Sequence, residues 1–309
     1  MITVLYSGTK ADWEDYRKYI AVALAKKGIK AEIVQKCPPD QVDYIVFSPD
    51  GPVQDFSIFP KLKAALGLWA GVEKIVGNTS LTAPLCRMVD AGLREGMREW
   101  VAGHTLRYHL GMDQHILHQD GNWHKNTPPL ARHRTVGILG IGELGRACAQ
   151  TLAQLGFNVA GWSRSRKQID GISCYSGNDG LAKILAMSEI LVLLLPQTDQ
   201  TFHIINAKTL AKLPHGAFIL NPGRGPLIDD DALLDALDAG QISHATLDVF
   251  KTEPLPADHP FWAHPNITVT PHIASETRAI TAADVIAENI VRGETGQPFL
   301  FTVDRAARY

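Results

Sequence analysis

The stretch Thr135-Val136-Gly137-Ile138-Leu139-Gly140-Ile141-Gly142-Glu143-Leu144-Gly145 decides the fold. Thr135–Leu139 reads as a buried strand, because its run is apolar and rich in β-branched residues. A helix follows from about Leu144 to Leu155, so Gly-x-Gly-x-x-Gly stands at a strand-to-helix junction. There the first glycine makes the tight turn, the second lets backbone approach a pyrophosphate, and the third lets helix and strand pack closely. The helix amino terminus offers unpaired N–H groups and a partial positive charge to phosphates. Gly140, Gly142, Glu143, Leu144 and Gly145 are therefore expected to hold a dinucleotide.

The next strand, Val159–Trp162, sharpens the cofactor. A site built for the 2′-hydroxyl of NAD ends this strand with a carboxylate about 20 residues after the glycines. Here the chain reads Ser163-Arg164-Ser165-Arg166-Lys167, and no acid appears until Asp170. Hydroxyls, an ammonium and guanidinium forks suit a 2′-phosphate, which favours NADPH over NADH. A solvated basic loop is the other reading of the same residues.

Working outward, Ile190–Leu195, Ala217–Leu220, Ala245–Val249 and Ile267–Thr270 read as further buried strands. Ile2–Tyr6, Ala31–Val34 and Tyr44–Phe47 do the same near the start. Helical spacing covers Asp12–Lys27 and Ala279–Val291. This alternation predicts α/β architecture, with parallel sheets covered on both faces. Residues 49–84 read as irregular, with apolar segments at Ala64–Trp69 and Lys74–Val76. Pro84 is placed to open a helix, since apolar positions recur at helical spacing from Leu85 through Met88, Leu93, Met97 and Val101.

The 309 residues suggest about two domains at roughly 150 residues each. Thirty Lys and Arg against 32 Asp and Glu give a net charge of −2, which argues against non-specific nucleic-acid binding. Cys37, Cys86, Cys148 and Cys174 are scattered and read as reduced thiols. The longest aliphatic run, Ile190–Leu195, is far below the about 20 residues a bilayer requires. The amino terminus lacks a signal peptide's apolar core. The expectation is a cytoplasmic protein with a small-molecule ligand and no membrane or nucleic-acid partner.

Three segments each follow a buried strand: Asn221-Pro222-Gly223-Arg224-Gly225, Asp248-Val249-Phe250-Lys251-Thr252-Glu253-Pro254 and Pro271-His272-Ile273-Ala274. In open α/β sheets ligands bind outside the carboxyl ends of strands. An Arg, a Glu and a His gathered there can bind a carboxylate, orient an imidazole and transfer a proton. Surface ion pairs, Arg224 with Asp230 or Glu253 with Lys251, are the plainer reading. His104, His109, His115, His118 and His124 cluster in sequence. No Cys or carboxylate spacing completes a metal site there, and a long helix or a subunit contact is the favoured reading.

These segments resemble the D-isomer-specific 2-hydroxyacid dehydrogenase family. The resemblance covers most of the chain: the Ala70-Gly71-Val72 loop, Gly140–Gly145, Leu195-Pro196 with Thr201, and the three segments above. The Arg-to-Glu interval of 29 residues and the Glu-to-His interval of 19 are those of the family. Trp69, the Trp162–Arg166 segment and the length look most like the bacterial glyoxylate/hydroxypyruvate reductases. The resemblance implies two Rossmann-like or flavodoxin-like domains with an active-site cleft between them. A cofactor domain at 98–274 is then inserted into a substrate domain made of 1–97 and 275–309.

It also implies roles. Arg224 holds the carboxylate and keto oxygen of a small 2-oxo acid, and His272 gives a proton to that oxygen as hydride reaches carbon 2. Glu253 accepts a hydrogen bond from the other imidazole nitrogen and favours its protonated form. N–H groups around Ala70 and Gly71 receive the substrate carboxylate, and Trp69 is either a pocket wall or core. Leu195, Pro196, Thr201 and Pro222 lie along the cofactor. Asp248 either faces the nicotinamide carboxamide or caps a turn. The implied reaction is NADPH-dependent reduction of glyoxylate to glycolate and hydroxypyruvate to D-glycerate, in a homodimer joined through the cofactor domains. A D-lactate-type or phenylpyruvate-type dehydrogenase, or a dinucleotide-sensing regulator without turnover, are the alternatives.

Overall fold

Short, mostly apolar runs build two parallel sheets. The computed structural model describes residues 1–117 and 119–307, and the chain divides into two units, Met1–Leu93 with Glu276–Tyr309, and Arg94–Ser275. The first unit holds strands β1 (Ile2–Ser7), β2 (Ala31–Val34), β3 (Tyr44–Phe47), β4 (Ala64–Gly67) and β5 (Leu85–Cys86). They pair in parallel in the order β2-β1-β3-β4-β5. Helix α1 (Trp13–Lys26) buries Tyr16, Ile20, Ala23 and Leu24, one face at helical spacing. Burying each large aliphatic side chain here stabilises the fold by roughly 1.5–3 kcal/mol. Gly28, at φ +73°, ends the helix in the left-handed region that glycine enters without a Cβ clash.

The chain passes into the second unit along α2 (Ala91–Leu110), followed by the short α3 (Met112–Leu117). Next come β6 (Thr135–Leu139), α4 (Glu143–Gln154), β7 (Asn158–Ser163), β8 (Ser173–Ser176), α5 (Gly177–Met187) and β9 (Ile190–Leu193). The unit ends with α6 (Ala207–Leu210), β10 (Ala217–Asn221), α7 (Asp230–Asp238), β11 (Ile242–Leu247) and β12 (Ile267–Val269). The sheet order is β12-β11-β10-β9-β6-β7-β8, with all pairs parallel. Alternate residues feed two cores: Leu139, Leu191 and Leu193 pack on one face, and Val136, Ile138, Ile190 and Val192 on the other. That period of two, apolar on both faces, is why these strands read as unbroken hydrophobic runs. The chain then returns to the first unit as α8 (Ala279–Glu294), which packs on α1.

The structure departs from the sequence reading in three places. Leu85 and Cys86, read as helical, form β5, and α2 starts instead at Ala91. Asp90 is the reason. It is buried, and its carboxylate accepts hydrogen bonds from the N–H groups of Gly92 at 3.2 Å and Leu93 at 3.1 Å, donors a helix start leaves unpaired. The irregular 49–84 stretch contains β4, hidden because its four residues are too few to show a period. β8 has the sequence Ser-Cys-Tyr-Ser, half exposed at a sheet edge, so no apolar run announces it.

One half-buried histidine of this unit bears on acid stability. Tyr108 of α2 stacks on Phe218 at 4.5 Å and hydrogen-bonds Thr246. Beside it His244 bonds Thr268 Oγ1 through Nε2 at 2.9 Å. Burial, aided by the positive charge of Arg107, pushes the His244 imidazole down to about 4. Desolvation moves His104 and His109 the same way. As pH falls below about 6.5 the unfolded chain takes up a proton that folded His244 refuses until about pH 4, so stability is lost across that window. Urea midpoints at pH 7 and pH 5 are expected to fall less in His244→Asn than in the parent. An equal fall in both would show that another group carries the acid lability.

Candidate active site

All the second-unit segments singled out in the sequence leave the carboxyl ends of its strands. The glycine loop follows β6, Ser163–Lys167 follows β7, and Leu195–Thr201 follows β9. Arg224 follows β10, Asp248–Glu253 follows β11, and His272 follows β12. The chain order reverses between β6 and β9, and in such sheets the crevice at that point is where ligands sit.

The glycines fit that crevice for separate reasons. Gly140 has φ +104°, and a Cβ on it would stand 2.5 Å from the Leu194 carbonyl oxygen. A Cβ on Gly145 would come within 1.9 Å of the Gly140 carbonyl, so α4 packs against the turn only without one. Gly142 is different, since a Cβ there would meet nothing within 4 Å. The space beside it opens at the first turn of α4, whose N-cap, Gly142, has no side chain to satisfy the helix N–H groups. Glu143 and Leu144 lie in that turn. A pyrophosphate fits this arrangement of open backbone donors.

After β7, Arg164, Ser165, Arg166 and Lys167 are all exposed. Ser163 is buried, and its hydroxyl donates to the Ser165 carbonyl at 2.8 Å, bracing the turn. After β9, Leu195 is buried. The Thr201 hydroxyl donates to the Pro196 carbonyl at 2.7 Å and accepts the Thr198 N–H at 2.8 Å. Both hydroxyls thus shape the loops that carry them.

Glu253 and His272 meet directly. Nδ1 of His272 lies 2.7 Å from one carboxylate oxygen of Glu253, while the Phe250 N–H donates to the other oxygen at 2.9 Å. The carboxylate is thus held by its own loop and orients the ring, leaving Nε2 as the second imidazole nitrogen. The His272 side chain is half exposed. Its backbone stands at φ +53°, a region that residues with a Cβ enter only where surroundings impose it. Lys251, read as a possible partner of Glu253, pairs instead with Asp230 at 3.1 Å.

Arg224 sits on a clamped loop. The buried Asn221 donates from Nδ2 to the Arg224 carbonyl at 3.0 Å and accepts the Gly223 N–H at 3.2 Å. Pro222 bridges these contacts. Nη1 of Arg224 donates to the Gly223 carbonyl at 2.6 Å. A Cβ on Gly225 would lie 2.1 Å from the Phe250 backbone carbon, so this glycine lets the Arg224 loop pack on the loop carrying Glu253. The sequence reading missed Asn221 and Gly225 as positioning residues. Their signal was an amide and a glycine bracketing Arg224 just after a strand.

Asp248 is buried, and all of its carboxylate contacts are to the His272 loop. Oδ1 accepts from the Thr270 hydroxyl at 2.6 Å and the Ile273 N–H at 2.9 Å, and Oδ2 from the Ala274 N–H at 2.9 Å. In the first unit, Trp69 is exposed, with the Lys74 ammonium 5.4 Å from the centre of its ring, so the core reading of Trp69 is wrong. The half-buried Ala70 and Gly71 follow it, and among the described residues their N–H groups have no protein acceptor. His104 packs at a tilt against Trp100, and His109 meets Phe157 edge-on. His115 and His124 are exposed, and His118 lies outside the described residues. No group of three metal-binding side chains occurs among the described residues, and no described helix is long and apolar enough to cross a membrane.

A glycine turn at a sheet's switch point, with an Arg loop and an oriented Glu–His pair at the same edge, defines a dinucleotide-dependent oxidoreductase. Residues 104–274 match the family model for the NAD-binding domain of D-isomer specific 2-hydroxyacid dehydrogenases. The chain is 42% identical over 252 residues to glyoxylate/hydroxypyruvate reductase A of Serratia proteamaculans, covering 79% of this chain and 80% of that one. A D-isomer specific 2-hydroxyacid dehydrogenase from Xanthobacter autotrophicus Py2, solved with NADPH and MES, matches with a TM-score of 0.92 at 38% identity, over 100% of this chain and 99% of that one. The NADPH-dependent glyoxylate/hydroxypyruvate reductase of Sinorhizobium meliloti, solved with NADP and sulfate, matches with a TM-score of 0.86 at 33% identity over 100% of both chains. The chain belongs to the D-isomer specific 2-hydroxyacid dehydrogenase family and is an NAD(P)-dependent enzyme of it.

Proposed function

We propose that the chain is a reductase that uses NADPH to convert glyoxylate to glycolate and hydroxypyruvate to D-glycerate. The observation that carries this reading is the 2.7 Å bond between His272 Nδ1 and Glu253, beside the clamped Arg224 loop. The names of the similar reductases support the substrates. The bound cofactor supplies the hydride that reaches carbon 2. The Arg224 fork takes the carboxylate and keto oxygen, a planar charged contact that fixes the carbonyl. Nε2 of His272 gives its proton to the keto oxygen, so the C=O bond becomes CH–OH, and the ring is reprotonated from water. Ala70 and Gly71 contribute free N–H donors of the kind a carboxylate takes.

Arg164, Ser165 and Arg166 are the proposed 2′-phosphate ligands, and Lys167 adds positive charge. In Arg164→Ala/Arg166→Ala the ratio of kcat/KM for NADPH to that for NADH is expected to fall by about 10²-fold, each charge-assisted contact being worth about 1.5–3 kcal/mol. An unchanged ratio would place the preference elsewhere. The four cysteines carry free thiols, as a reducing compartment keeps them, which supports a cytoplasmic location. Exposed Met112, Ile116, Leu117, Trp123 and Leu130 support a homodimer formed through the second unit. The test of the function is the initial rate with glyoxylate, hydroxypyruvate, pyruvate and phenylpyruvate, each with NADPH and NADH. The first two substrates with NADPH are expected to be fastest, and faster turnover of pyruvate or phenylpyruvate would overturn the substrate assignment.

A further inference from the structure

We propose that the second unit holds a further binding site, for a small neutral molecule with an apolar body and one hydrogen-bond acceptor. The site is a cavity of about 180 Å³ walled in part by the loops that carry Arg224 and Glu253. It is independent of which 2-oxo acid the enzyme reduces. The apolar walls are Ile228, Leu247, Val249, Phe250, Leu255 and Phe261. Ile228, Leu247 and Phe261 belong to the buried core on one face of the second sheet, and Phe250 and Leu255 pack against it. The shape of the cavity is therefore set by close-packed side chains. A cavity of about 150 Å³ lined by Leu, Ile and Phe takes up benzene-sized molecules, so this one fits a single ring with a small substituent.

The polar groups of the wall decide the charge of the ligand. Lys251 and Asp230 both line the cavity, and they pair with each other at 3.1 Å. A charged guest would have to shed its water and compete with that pair, so a neutral one is favoured. His259 supplies the directional contact. Its Nδ1 accepts the Phe261 N–H at 3.3 Å, so the neutral ring carries its hydrogen on Nε2. Among the described residues that N–H has no protein acceptor, and an apolar pocket with one such donor selects a ligand with one acceptor. The cavity also touches both catalytic loops. Phe250, whose N–H holds Glu253 at 2.9 Å, lines it, and so does Asn221, whose amide clamps the Arg224 loop. A guest adds packing contacts to both loops and slows their local opening.

The test titrates phenol into the enzyme saturated with NADP and oxalate, so that the cofactor and substrate positions are filled. Calorimetry is expected to give a Kd of about 1 mM, usual for a ligand of this size. Ile228→Phe, which fills the cavity, should abolish binding, and Leu255→Phe supplies the same test if Ile228→Phe does not fold. In His259→Asn the side-chain oxygen can still accept the Phe261 N–H, but the ring Nε2–H is gone. Phenol should then bind about three- to tenfold more weakly, the worth of one hydrogen bond. Amide hydrogen exchange at Phe250 should be slower with phenol bound. No binding below about 20 mM, or equal binding in both filling variants, would overturn the proposal. Binding lost whenever NADP and oxalate are present would place phenol at the cofactor or substrate position and overturn it as well. Unchanged exchange at Phe250 in the phenol-bound enzyme would overturn the link to the catalytic loops.

Discussion

Replacing His272 by alanine is expected to lower kcat for glyoxylate reduction by about 10²–10⁴-fold, the usual contribution of a positioned general acid. NADPH binding should be almost unchanged, because His272 follows β12 whereas the glycine turn follows β6, four strands away in the sheet. The size of the effect follows from the geometry. The imidazole is held at Nδ1 by Glu253 at 2.7 Å, and Glu253 is held by the Phe250 N–H at 2.9 Å. No other described acid is bonded to this ring. Alanine leaves the keto oxygen to be protonated by water, so hydride transfer must build an alkoxide without a partner. Steady-state rates with a parallel NADPH titration check this. A loss of less than about tenfold would mean that another group delivers the proton.

Replacing Arg224 by lysine is expected to lower kcat/KM for glyoxylate by about 10²-fold or more, mostly through KM. A guanidinium offers parallel N–H donors to a carboxylate and still has Nη1 on the Gly223 carbonyl at 2.6 Å. Lysine carries the same charge but cannot make the fork, so at least one charge-assisted bond is lost, about 1.5–3 kcal/mol. It also loses the brace to Gly223, and the ammonium is free to wander. Arg224→Lys thus separates charge from geometry: retention of most activity would show that a positive charge alone suffices. Together with His272→Ala, it assigns binding to one loop and proton transfer to another.

Much of this candidate site is legible in the sequence because its glycines and strand ends are local signals. Gly140 and Gly145 stand where a Cβ would strike backbone, and such positions recur at fixed spacing in a sequence. The strands of the second sheet are apolar on both faces, so their ends, and the loops beyond, were easy to place. Asp248 was not legible in the same way. A carboxylate one residue past a strand can point at a ligand or turn back on its own loops, and only the directions of the Thr270, Ile273 and Ala274 donors decide. Ser163 and Thr201 show the same limit, since each hydroxyl serves its own turn. Leu85 misled because its apolar spacing fits a helix equally well, and a buried cap five residues on, Asp90, sets the true start. Short β4 and polar β8 carry too few apolar residues for any period to register.

The most direct measurement is of the product rather than the rate. Hydroxypyruvate is reduced with a known amount of NADPH, and the glycerate formed is resolved by chirality and counted against NADPH consumed. One D-glycerate for each NADPH is the result predicted by hydride transfer to a carbonyl held by Arg224 and protonated by His272. L-glycerate, or NADPH consumed without glycerate, would contradict that account.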